Sequence, residues 1–170
     1  MFQRILLAVA IVLSGSYYAH AQTPLQYNNK LVNITDSLHA KGSRWVRVFK
    51  QVKMIKEFTA LTPYRSDLQK YIDNKIAELK ADKDVSGSGE LKQAVIEFLE
   101  YEKNIVANCF APMEELGATT TDEELKAAID KLTLESQKEN AILAKVDAAQ
   151  DAYARKNNIR MEEPVPAKEH

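Results

Sequence analysis

Leu91, Val95, Phe98, Glu102, Ile105, Cys109, Pro112 and Leu116 recur in alternating steps of four and three. A helix turns about 100° per residue, so steps of this kind keep their side chains on one face. The same rhythm occupies most of the chain. Tyr27, Leu31, Ile34 and Leu38, then Trp45, Val48, Val52, Ile55 and Thr59, form one long stripe with a missing step at Lys41 and Gly42. Gly42 weakens a helix by about 1 kcal/mol relative to alanine, so a bend or break is expected there. Tyr64, Leu68, Tyr71, Ile72, Ile76 and Leu79 mark a second helix. Leu125, Ile129, Leu132, Leu143, Val146, Gln150 and Tyr153 mark a last one.

The breaks between stripes carry their own chemistry. In "LTPY", Thr62 suits a helix cap and Pro63 the first turn after it. "KDVSGSGE" holds two glycines and two serines. In "GATTTDEEL", Thr121 and Glu124 make a capping box, and three acids follow the cap where the helix dipole is positive. No segment alternates with period two. Four amphipathic helices joined by short loops predict an all-α, four-helix antiparallel up-down bundle with long helices.

The N-terminus reads differently. One arginine, the apolar run Ile5–Leu13 and the small-residue pattern Ala19-His20-Ala21 are the parts of a cleaved signal peptide, residues 1–21. Nine apolar residues are too few to span a bilayer, which needs about 20, so no membrane span is expected after cleavage. The domain is then expected over 22–160. The segment 161–170, with two prolines and no apolar periodicity, is expected to be a disordered tail. The protein is thus expected to be exported, to the periplasm, the cell surface or the medium.

Short segments of the chain resemble a family of uncharacterised exported bacterial helical proteins, some described as leptospiral surface proteins. The likeness lies in Tyr27-Asn28-Asn29-Lys30 at the head of the first helix and in the glycine-serine loop before Leu91, Phe98 and Tyr101. Ala149, Gln150, Tyr153, Ala154, Lys156 and Asn158 extend it near the end. It implies a secreted helical bundle, and neither an activity nor any site residue.

Composition narrows the function further. Lys and Arg number 23 against 24 Asp and Glu, which gives no electrostatic case for nucleic acid. The fold invites a carboxylate-bridged metal pair, but that site needs two Glu-x-x-His motifs. The nearest match, Asp36-Ser37-Leu38-His39, occurs once, so neither a metal nor any other cofactor is expected. Haem finds no Cys-x-x-Cys-His and one imidazole in the body of the chain, His39. Cys109, the single cysteine, sits on an apolar stripe far from its helix N-terminus, which favours a buried structural residue over a reactive thiol.

Two groups of candidate binding residues remain, and no catalytic ones. Glu102, Glu139 and Gln150 fall near apolar stripes, where they either line an internal polar site or pair with helix-one cations. Lys41, Arg44, Arg47, Lys50, Lys53 and Lys56 recur every third residue. Arg47, Lys50 and Lys53 are predicted to face solvent opposite the stripe, as a solvated face or as a contact for an anionic envelope partner. Arg44, Lys56 and Lys41 are predicted to flank the stripe and meet Glu97, Glu100 or Glu102. The leading expectation is a non-enzymatic interaction or structural protein. The alternative is a small-molecule or anion-binding bundle with an internal polar cavity.

Overall fold

A computed structural model describes residues 22–160. The expected signal peptide and tail lie outside the described residues. The described chain is all-helical and forms the four-helix bundle. Helix α1 (Pro24–Ile55) is opened by a capping box between Thr23 and Gln26. A single turn of 3-10 helix (Phe58–Leu61) leads into α2 (Thr62–Ala81). Helix α3 (Gly89–Ile105) continues through a π-helical segment (Val106–Phe110) into a last short turn (Ala111–Met113). Helix α4 (Asp122–Lys156) starts at the expected Thr121–Glu124 capping box.

Helix α1 passes Gly42 without a break, contrary to the expectation from its missing step. The helix is held on both sides of the glycine. Leu31, Ile34 and Leu38 are buried before it, and Trp45, Phe49 and Val52 after it. Burying a side chain of that size is worth about 1.5–3 kcal/mol, so the flanking contacts outweigh one glycine. Its end comes earlier than the stripe suggested. Lys56 takes a left-handed conformation (φ 55°) and closes the helix, leaving Ile55 63 % exposed and Thr59 in the 3-10 turn. Thr62 does not cap α2. Its hydroxyl instead donates to Glu114 Oε2 at 2.8 Å, beside Arg65 Nε donating to Oε1 of the same carboxylate at 2.6 Å.

The core runs the length of the bundle, with an aromatic stack at one end. Trp45 is fully buried and lies parallel to Phe110 at 3.8 Å and to Phe49 at 5.4 Å between ring centres. Offset aromatic stacking adds about 0.5–1.5 kcal/mol per pair beyond area burial. Pro112 explains the π-helical segment beside this stack. Proline lacks an N–H and its ring crowds the carbonyl four residues back, here Asn108. The segment widens to bond i to i−5, so the Ala111 N–H donates to Val106 O. The released Asn108 carbonyl accepts from Lys131 Nζ of α4 at 2.8 Å. Pro112 is thus accommodated by a π turn whose loose carbonyl is satisfied by the neighbouring helix.

Helices adjacent in sequence pack against each other: α1 on α2, α2 on α3, α3 on α4. The fourth seam, between α1 and α4, is pinned at its ends. At one end Gln150 Nε2 donates to Asn28 Oδ1 at 3.3 Å. At the other, Lys56 Nζ donates to Thr120 O at 2.8 Å. Between them α4 has no fully buried side chain from Lys126 to Lys145.

Candidate functional site

The open middle of the α1–α4 seam is a cleft of about 810 Å³. Helix α1 forms one wall from Thr35 to Lys50 and α4 the other from Leu132 to Leu143. Helix α3 supplies the floor through Phe98, Glu102, Ile105 and Phe110. Its origin can be read residue by residue. At corresponding heights the three stripes each carry a residue that cannot fill the seam: Gly42 on α1, Glu102 on α3, Ser136 and Glu139 on α4. A Cβ added at Gly42 would meet nothing within 4 Å.

Two of the sequence-predicted residues meet here. Glu102 and Glu139 face one another in the cleft. Burial, and then the Glu139 charge beside it, push the Glu102 carboxyl up to about 8. Glu102 Oε1 is buried and has no hydrogen-bond partner. No lysine, arginine or histidine among the described residues pairs with either acid. The nearby cations on α3 and α4 are engaged elsewhere: Lys103 with Asp73 at 2.7 Å, Lys138 with Glu135 at 2.7 Å, Lys131 with the Asn108 carbonyl. The expected alternative, pairing of these acids with helix-one cations, does not occur.

Arg47 and Lys50 are exposed, as expected, and they also line the same cleft. The wall between α1 and α4 is open, and what was reckoned the far side of α1 is its rim. Lys53 is exposed beyond the rim, and Gln150 is outside the cleft in its bond to Asn28. Arg44, Lys41 and Lys56 do not meet the acids of α3. Arg44 sits 5.0 Å over the Tyr64 ring, Lys41 bonds Asp67 at 2.6 Å, and Lys56 reaches the loop before α4. The flank of α1 faces α2, and Glu100 is already paired with Lys80 of that helix at 2.9 Å.

Sequence reasoning passed over Ser136, Val46 and His39 as cleft residues. The signal for Ser136 was present, because Leu132, Ser136, Glu139 and Leu143 continue the four-three rhythm across the gap in the last stripe. Among the described residues no three His, Cys, Asp or Glu side chains converge to hold a metal ion. Cys109 is 3 % exposed in the core, and burial raises its thiol further from ionisation. No helix among the described residues is long and apolar enough to cross a membrane.

Comparison with protein-family models, curated proteins and solved structures finds no match to this chain.

Proposed function

We propose that this chain is an exported, non-enzymatic binding protein whose α1–α4 cleft takes a small amphipathic molecule. The observation that supports this reading is the cleft itself, with an apolar floor and a few convergent polar groups in about 810 Å³. Small-molecule sites commonly measure about 300–1,000 Å³ and share that make-up. A bundle serving only as a scaffold gains nothing from leaving one seam unfilled between two pinned ends. The signal-peptide pattern of residues 1–21 supports export.

The test is titration of the mature chain with a neutral apolar dye, followed by dye emission and by quenching of Trp45, the only tryptophan. Saturable binding is expected. Gly42→Leu, which extends a side chain into the cleft, should abolish it while raising helix propensity. Unsaturable binding, or binding indifferent to that substitution, would overturn the reading.

A second reading, an interaction protein with an anionic envelope partner, is favoured by the tip of α1. Lys50 and Lys53 are exposed without acidic partners among the described residues, and Met54 beside them is 79 % exposed. Loss of capture from envelope extracts on replacing both lysines and Met54 would support this second role. Unchanged capture would remove it.

A further inference from the structure

We propose that the Glu102–Glu139 end of the cleft is a head-group subsite for an organic ammonium, an amine carried on an apolar carbon body. This deepens the cleft reading above and rests on it. The geometry sets out what the occupant must supply. Glu102 Oε1 is removed from water and unpartnered, and the second acid stands beside it. A buried polar atom left without a partner is costly, and more so when charged. Among the described residues no cation pairs with either acid: those nearby on α3 and α4 are committed elsewhere, and Arg47 and Lys50 of the same cleft make no ion pair with them. Leu38, Phe98 and Leu143 stand around the acids and give an apolar body its contacts.

Other occupants fit less well. A metal ion finds no third ligand among the described residues. An anion would meet two carboxyls at this end, and its natural place is the rim by Arg47 and Lys50. The acid pair also dictates a proton balance. Without ligand, Glu102 holds a proton that it can donate towards Glu139. An ammonium brings its own positive charge, so its N–H groups bond the two carboxylates and the Glu102 proton leaves to solvent. Asp36 and His39 of α1 face the pair from across the seam. Tyr101 of α3 feels both acids, and its hydroxyl donates to Glu135 of α4. The acidic neighbours favour a cation. Loss of the Glu102 proton directs tighter binding towards higher pH.

The experiment is isothermal titration calorimetry of the mature chain with octylamine, octanol and octanoate, in buffers of differing ionisation heat. Octylamine should bind about tenfold more tightly than octanol, with about one proton released near neutral pH. Glu102→Gln should erase that preference and the proton release while leaving octanol binding in place. If this variant fails to fold by circular dichroism, Glu139→Gln provides the same comparison, since it removes the second carboxylate. Octanol binding as tightly as octylamine, or octanoate binding best, would overturn the head-group assignment and leave the cleft reading standing. If none of the three binds, both fall.

Discussion

Glu102→Gln should flatten the dependence of stability on pH through the neutral range. In the folded chain the Glu102 carboxyl is held up to about 8, first by burial and then by Glu139. In the unfolded chain it returns to about 4.3. The folded state therefore binds more protons across this window. The stability contributed by neutral Glu102 is complete below the unfolded value and is lost as pH rises towards the folded one. Each pH unit is worth about 1.36 kcal/mol, which sets a ceiling of about 5 kcal/mol over the window. The cleft is open along the α1–α4 seam and Glu102 is not wholly enclosed, so solvent screening leaves about half of that. Between pH ~5.5 and pH ~8 only about 3 kcal/mol of that ceiling is traversed, and half of it, about 1.5 kcal/mol, corresponds to a fall in Tm of about 3–6 °C for a domain of this size. Asp73, Glu78, Glu124 and Glu135 are held below their ordinary values by their partners, so their contributions are lost on the acid side and do not enter the window. Melting curves by circular dichroism at matched ionic strength provide the assay. Glutamine keeps the size and a donor towards Glu139, so the variant should keep less than about a third of the wild-type slope. A wild type with equal Tm at both pH values, or a variant with the full slope, would refute the placement of Glu102 against Glu139.

Three further outcomes follow from named contacts. Cys109 should react with a thiol reagent about 100-fold more slowly in native buffer than in denaturant, because burial keeps it neutral and covered; equal rates would place it at the surface. Arg65→Ala should lower stability by about 2 kcal/mol in chemical denaturation, because it leaves the largely covered Glu114 carboxylate with Thr62 alone; a change below about 0.5 kcal/mol would show the pair to be solvent-screened. Mass analysis of the exported protein should find Gln22 as the first residue, and an intact Met1 would remove the signal-peptide reading.

The helices and their capping at Thr121 were legible because each rests on local chemistry: periodicity, a hydroxyl at the cap, an acid three residues on. The site was half legible. Glu102 stood out because it holds a core position in an otherwise apolar stripe, and Gly42 because it interrupts another. Whether those two gaps lie at the same height is a matter of how far each helix is shifted along its neighbours, and no single stripe carries that. The same limit explains Gln150. It holds an equivalent place on its stripe to Glu139, yet it lies level with Asn28, where the seam is shut. The charged residues of α1 were misplaced for another reason. Their angles about the helix were right, but the neighbour on each side was not: α2 covers the flank assigned to α3, and the side taken as outer borders the cleft.

The pairing of sequence neighbours has a consequence for how the molecule assembles. Each helix finds its main partner across one short connection, so the chain closes small loops before it must bring its ends together. Loop-closure entropy grows with length, and chains rich in local contacts reach the native state in microseconds to milliseconds. The last contacts to form are then the two clasps that join α1 to α4, Asn28 with Gln150 and Lys56 with the Thr120 carbonyl. They link residues more than sixty apart in the chain, yet the first is one hydrogen bond and the second a hydrogen bond with a long ion pair from Lys56 to Asp122 at 3.9 Å. Few contacts besides these hold α1 to α4, so this seam is where the bundle opens most easily.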